Sequence, residues 1–255
     1  MTTWKIYGKK DLKLSEPILI EGLPGIGNVG KIVVDTVVEE LKAKKVLDFF
    51  SYSLPNSVFV NEDSLIELPK IELYHKKLDG KDFLFLTGDV QPMEEQSSYE
   101  FTDKVLELVN GYGCKEIITL GGIGINEAPE KPRVYCTGNS KQLVNTFKKF
   151  QVDTKLYGIV GPIIGVSGLL LGLSKNKKID AAAILAETLG HQMYIGIRGA
   201  REIINVLNKK YSLKISTKNI TKEIKKLDEE MNSETSKKHK TLNQLKQYKE
   251  TNYIG

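Results

Sequence analysis

The sequence has little cysteine, little arginine and no long hydrophobic run. Cys114 and Cys136 are its only cysteines in 255 residues. Two are too few for a disulfide framework or a four-ligand zinc site, and the scarcity suits a reducing, cytoplasmic setting. Nowhere does an apolar run reach the roughly 18 residues that a membrane-spanning helix needs, so no membrane partner is expected. The opening stretch, MTTWKIYGKKDLKL, has no signal-peptide core, and export is not expected either. Arg133, Arg198 and Arg201 are the only arginines. Because base readout leans on arginine, they speak against sequence-specific binding to nucleic acid.

What is present is the composition of a folded protein, 40% hydrophobic and 27% charged. The length suits one α/β domain with an appendage. A net charge of +5 suggests nucleic acid until it is located. Residues 201–255 hold 13 Lys/Arg and 7 Asp/Glu, leaving 24 basic and 25 acidic residues for the first 200. The body is close to neutral and the basic excess belongs to the C-terminal quarter, as expected of a solvated lysine-rich helix. No nucleic-acid partner follows from it.

Strands punctuated by glycine fill the first 165 residues. Ile18–Glu21 reads as a strand ending at Gly22, residues 29–41 as a helix with Ile32, Val33, Val37 and Leu41 on one stripe, and Val46–Tyr52 as a strand pairing parallel to the first. Leu65–Lys76 and Phe83–Thr87 flank Asp79-Gly80, a hairpin signal. Glu94–Asn110 is a helix with Phe101, Val105 and Leu108 on one face. Ile117–Leu120, Val134–Cys136 and Leu156–Val160 complete the strands, with a helix near Ser140–Phe150. After Gly161-Pro162 the expectation is helical: a short apolar piece over Gly165–Leu173, then Asp180–Leu189 and Gly199–Lys209. The expected domains are an α/β core over 1–211, a charged amphipathic helix over 212–231 with Ile220, Ile224, Leu227 and Met231 in a stripe, and a lysine-rich tail over 232–255.

The strongest local signal is Gly22-Leu23-Pro24-Gly25-Ile26-Gly27-Asn28-Val29-Gly30-Lys31. Gly25-x-Gly27-x-x-Gly30 after a strand, with Asp48 ending the next strand, is the placement of a dinucleotide site. The same segment overlaps a P-loop, except that Ile32 stands where a hydroxyl should hold magnesium. Against both stands a tight strand-to-helix turn, with Gly22, Gly25, Gly27 and Gly30 as structural glycines. On that view Gly25→Val should damage folding by roughly 1–3 kcal/mol. Gly165-Val166-Ser167-Gly168-Leu169 resembles a nucleophile elbow with leucine in the last glycine's place. His75, His191 and His239 stand in no catalytic spacing; Asp89 and Glu94-Glu95 offer a carboxylate cluster at the sheet's end, although acids that open a helix already have a capping role. No catalytic set and no metal site emerge.

Three segments resemble the proteasome assembly chaperone family in its archaeal branch: EGLPGIGNVGKIVVDTVVEELKAKKV, TLGGIGINEAPEKPRVYCTGN and GIVGPIIGVSGLLLGLSKNKKIDAAAILAET. The correspondence runs in order from about Ile18 to about Lys210, with most weight on Gly22–Gly30 and Gly161–Leu171. The resemblance implies a mixed, mainly parallel α/β sheet flanked by helices, similar to the nucleoside phosphorylase-like fold. It also implies a non-enzymatic, ATP-independent, cofactor-free chaperone that forms a homo-oligomer and assists proteasome 20S α-subunits, in some members beside a paralogous chaperone. Some family members use a C-terminal tail with a hydrophobic–Tyr–any ending that enters pockets between α-subunits, and the partner-docking residues it implies here are Tyr253, Ile254 and Gly255. Tyr253 is third from the end, and Asn252 stands where a hydrophobic residue is expected. The competing function is a nucleotide-dependent enzyme using Gly25–Lys31; a third is a structural or scaffold oligomer whose tail is an irrelevant frayed end. The apolar GVSGLLLGL segment, Gly165–Leu173, is expected in the core or at a subunit contact of a homo-oligomer.

Overall fold

The computed structural model describes residues 4–156, 158, 161–191, 193–227 and 229. The chain divides into two compact units, Met1–Ile215 and Ser216–Gly255. The first is built on an eight-stranded sheet and five helices. Its strands are β1 (Lys5–Gly8), β2 (Ile18–Gly22), β3 (Lys44–Phe50), β4 (Phe59–Val60), β5 (Ile66–Glu67), β6 (Ile71–Leu78), β7 (Lys81–Gly88), β8 (Glu116–Ile125), β9 (Val134–Gly138) and β10 (Asp180–Leu189). The helices are α1 (Val29–Glu40), α2 (Glu95–Gly111), α3 (Lys141–Phe147), α4 (Val166–Leu173) and α5 (Ile197–Tyr211).

The sheet runs β1-β3-β6-β7-β2-β8-β10-β9, while β4 and β5 form a separate hairpin. Its centre is parallel, β7-β2-β8-β10, and antiparallel pairs extend it on both sides. Helices cover both faces, α1 with α5 on one and α2 with α4 on the other. This is the mixed α/β fold expected. Trp4, Leu19, Phe101, Val105, Leu170 and Ala183 belong to the principal core. Phe101 anchors it, packing on Trp4 at 4.4 Å and edge-on to Phe49 at 5.3 Å.

Local chemistry explains most elements. Asp79 and Gly80 have φ of 46° and 84°, the backbone a two-residue type I′ turn requires, and Leu78 pairs with Lys81 across it. Helix α1 buries Gly30, Val33, Val34 and Val37, one stripe at the spacing of a half-buried helix; Ile32 is only partly buried. In α4, Val166, Leu170 and Leu171 go into the core.

Several expectations are corrected. Asp180–Leu189 is a strand, not a helix. Alanine favours helices, but here Ala181, Ala182, Ala183 and Ala186 are fully buried between β8 and β9. Helix α5 lies so close that a Cβ on Gly199 would come 3.1 Å from the Ala186 Cβ. Val46–Tyr52 forms within β3 but does not pair with β2: β6 and β7 intervene. Leu65–Lys76 is broken at Leu68-Pro69-Lys70 into β5 and β6. Strand β8 extends past Leu120 through Gly121–Gly124, and the N-terminal segment adds β1 at the sheet's edge. Leu156 is irregular, with Tyr157, Ile159 and Val160 outside the described residues; Asp153 instead bridges Tyr135.

In the second unit, residues 218–227 are helical, with Ile220 and Ile224 buried and Leu227 exposed. Met231 and residues 232–255, and with them Tyr253, Ile254 and Gly255, lie outside the described residues. No helix among the described residues is long and apolar enough to cross a membrane.

Candidate functional site

Strand β2 delivers the glycine loop to the carboxyl end of the parallel strands, where open α/β sheets form their crevices. A Cβ on Gly22 would sit 2.2 Å from the Gly30 carbonyl oxygen, and one on Gly30 would sit 2.3 Å from that of Leu120. Both residues are glycine because the first turn of α1 is pressed onto β2 and β8. Gly27 has φ of 61° and accepts the Gly196 backbone N–H at 2.7 Å, which ties the start of α5 to the loop. Gly25 differs. Its φ of −160° is extended, and a side chain there would meet nothing within 4 Å among the described residues. The folding cost expected of Gly25→Val therefore has no steric source, and the contacts that exclude a side chain are at Gly22 and Gly30.

The nucleotide features are not brought together. Asp48, on β3, is separated from β2 by two strands, and its carboxylate accepts from Lys45 Nζ at 2.9 Å. Lys31 Nζ lies 2.9 Å from Asp35 and 3.7 Å from Asp89, an acidic neighbourhood rather than a phosphate cradle. Asp48 cannot take a ribose held at this loop.

Instead the fold joins the two glycine-rich segments. Gly22–Gly30 and Gly161–Leu169 face each other across a cleft of about 1010 Å³, with Gln91–Met93 after β7 and Gly121–Gly124 of β8 closing it. Gly122 is glycine because a Cβ there would come 2.4 Å from the Ile26 carbonyl oxygen. Ser167 lines the cleft, and its hydroxyl donates to Glu21 Oε2 at 2.9 Å. Glu21 is fully buried and also accepts the Leu23 backbone N–H at 3.0 Å. Burial pushes its carboxyl up to about 7, against the pull of those two hydrogen bonds. The nucleophile-elbow resemblance ends there: Ser167 has a carboxyl partner, and no histidine among the described residues lines the cleft. His75 pairs with Asp82 at 2.8 Å near the hairpin end of β6 and β7, whereas His191 accepts the Met193 N–H from an exposed turn; His239 lies outside the described residues.

A second buried carboxylate, Glu187 on β10, receives the Arg133 side-chain Nε–H at 2.7 Å, the Arg133 backbone N–H at 3.0 Å and the Tyr135 hydroxyl at 2.9 Å. Burial alone would raise its carboxyl, but these donors outweigh it and hold the group below its ordinary value. Cys114 and Cys136 are buried free thiols, pushed by desolvation to about 11 and about 12, and are chemically quiet. Among the described residues no three His, Cys, Asp or Glu side chains gather as metal ligands.

Reading the sequence missed Glu21 and Glu187. The available signal was an acidic residue inside an otherwise apolar strand, ILIEG and AAAILAETL. Such a carboxylate must find partners or protonate.

The comparisons with known proteins agree over most of the chain. PbaB of Pyrococcus furiosus, described as an archaeal proteasome activator, superposes with a TM-score of 0.83 at 30% identity, over 91% of this chain and 99% of that one. PbaA of the same organism, described as an archaeal homolog of proteasome-assembly chaperone, shares the fold with a TM-score of 0.77 at 22% identity, over 98% and 99%. An uncharacterised protein of Methanocaldococcus jannaschii is 30% identical over 233 residues, 87% of this chain and 88% of its own length. The sequence profile of the PAC2 family matches residues 19–235. This chain belongs to the PAC2 family.

Proposed function

We propose that this protein is a non-enzymatic, ATP-independent chaperone that assists proteasome assembly, acting as a homo-oligomer on 20S α-subunits. The observation that carries the reading is the likeness to PbaB over nearly the whole of both chains. The fold shared with PbaA supports it. A glycine loop whose lysine is held by Asp35 and Asp89 speaks for a packed turn rather than a phosphate site, consistent with action without ATP. Docking is assigned to the C-terminal segment containing Tyr253, Ile254 and Gly255, as an aromatic and an aliphatic group on a polar tether. The assisted partners are protein subunits, with a paralogous chaperone as a further candidate; nucleic acid and membrane play no part.

The test is a pull-down of proteasome α-subunits by the full chain, by a variant truncated after residue 231 and by Tyr253→Ala. Capture by the full chain, with loss in both variants, supports the reading. No capture by the full chain refutes the proteasome role, and equal capture by all three refutes the docking assignment alone. Light scattering that gives the mass of one chain at micromolar concentration refutes the oligomer. The identity shared with PbaB favours a second reading, activation of assembled proteasomes. Faster peptide hydrolysis by preassembled 20S on adding the protein separates that reading from assembly.

A further inference from the structure

The cleft between the two glycine segments has features that neither folding nor a docking tail accounts for. Four large apolar side chains stand open around it: Ile26 at 51%, Met93 at 81%, Tyr99 at 52% and Ile164 at 82% of full exposure. Grouping such side chains on one rim exposes an apolar patch of the kind that marks an interaction site. The volume, about 1010 Å³, is at the upper end for ligand pockets.

Two glycines of the wall sharpen this. Gly25 and Gly161 both line the cleft, and a Cβ on either would meet nothing within 4 Å among the described residues. Neither has the positive φ that a turn would demand. Glycine costs a chain conformational entropy, and at these positions no contact among the described residues requires it. What their bare backbones do is leave the wall open to close approach from outside, where a peptide main chain can lie against them.

Charge selects the occupant. Among the described residues Glu95 is the only charged side chain lining the cleft, and no lysine or arginine does so. The Ser167 hydroxyl gives its proton to Glu21, so toward the cleft Ser167 offers lone pairs that accept a hydrogen bond. A carboxylate at the rim, a hydroxyl acceptor within and a second carboxyl beneath it together favour a donor of positive charge. Four apolar side chains left at least half exposed around one opening call for an occupant with apolar surface of its own.

We propose that this cleft docks an extended polypeptide segment of a partner protein, one carrying a bulky apolar side chain beside a lysine or arginine. The apolar side chain enters between Ile163 and Leu169, the basic group reaches Glu95 and the Ser167 oxygen, and the main chain lies along Gly25 and Gly161. This goes beyond the proteasome reading and does not rest on it, since it concerns the body of the molecule and not its C-terminal segment.

Fluorescence polarisation with labelled glycine–serine nonapeptides tests it on the full-length protein. The central pair is leucine–lysine or phenylalanine–lysine, with leucine–glutamate and serine–lysine as controls. Saturable binding of either first peptide is expected, with both controls at least tenfold weaker. Gly25→Val, which places a branched side chain in open space, should weaken binding at least tenfold with an unchanged thermal midpoint. Glu95→Lys should reverse the preference between lysine and glutamate. No saturable binding of either peptide up to millimolar concentration overturns the proposal. Equal binding of the glutamate peptide overturns the charge argument on which it stands, and equal binding of the serine–lysine peptide overturns the apolar one. Unchanged binding by Gly25→Val puts the peptide elsewhere on the protein, which also refutes it.

Discussion

Replacing Glu21 by glutamine should make the protein more stable at alkaline pH and leave it nearly unchanged in acid. The carboxyl is fully buried, and burial lifts it from an ordinary 4.5 to about 7. In acid it is protonated in both folded and unfolded chains, so burying it costs little. Above about 7 it is ionised in both, and the folded chain then carries a buried charge. Stability is therefore lost as pH rises through this window. Each pH unit between the two values is worth about 1.36 kcal/mol, so the penalty approaches about 3 kcal/mol once titration is complete. Glutamine never ionises, and its carbonyl can still accept the Leu23 N–H that Glu21 accepts at 3.0 Å. Its amide can donate to Ser167, with the hydroxyl proton turned elsewhere. Urea denaturation of both proteins, at about pH 4, below the unfolded value, and at about pH 8, above the folded one, isolates the effect because the two chains differ only at this group. The variant should match wild type in acid and exceed it by roughly 2–3 kcal/mol in base. Equal differences at both pH values would refute the reasoning, as would a variant weaker than wild type at pH 8. Glu21→Ala serves as the contrast. By leaving Ser167 and the Leu23 N–H without their acceptor and opening a cavity, it should cost roughly 2–4 kcal/mol even in acid.

Further outcomes are open to similar measurement. Gly22→Ala and Gly30→Ala drive a methyl group to 2.2 and 2.3 Å from backbone oxygens, and each should lower stability by about 2–3 kcal/mol or prevent folding; Gly25→Ala, facing open space, should stay within about 0.5 kcal/mol of wild type by thermal melting. Arg133→Met removes the Nε–H and Nη2 groups that face buried Glu187 and should lower the thermal midpoint near pH 7, by less than the loss of a fully buried pair because Arg133 is largely exposed. The folded Glu187 carboxyl sits below its ordinary value, so its contribution is present above about 4.5 and fades as pH falls; the cost of Arg133→Met should shrink in acid melts. Asn139→Ala removes the acceptor of the Ala181 N–H and the amide that donates toward Leu171 O, Ser174 Oγ and Ile179 O at the start of β10, and should cost about 2 kcal/mol by urea titration.

Much of the fold was legible because its signals are local. Asp79-Gly80 dictates its own turn, and α1, α2 and α5 each carry an apolar stripe at helical spacing. β10 was not legible, since the information that makes it a strand is not in it. DAAAILAETL has helix propensity and an acidic start, but the slot between β8 and β9 beneath α5 admits only a thin extended chain. The same applies to β8: Gly121–Gly124 reads as a loop until the Ile26 carbonyl is found lying over Gly122. The pairing of β3 escaped for a different reason. A β-α-β length predicts direction, and β3 does run parallel to β2, but two hairpin strands, β6 and β7, insert between them.

The site separates along the same line. A glycine fingerprint is a statement about backbone and does not say why the backbone must be bare. Gly22 and Gly30 are bare because one helix turn touches two strands, Gly27 because its φ is positive, and Gly25 for neither reason. Only the folded surroundings distinguish these cases, and the distinction turns a nucleotide motif into a helix seat with one residue left over. The seat explains why Lys31 and Asp48 bear no relation to each other in space. The residue left over faces a cleft whose apolar rim, acidic lining and unfilled wall are properties of the body, not of the C-terminal segment. If recognition resided in that segment alone, Gly25→Val and Glu95→Lys should be silent in every binding assay. A binding defect in either, with the thermal midpoint unchanged, would assign part of the recognition to the body.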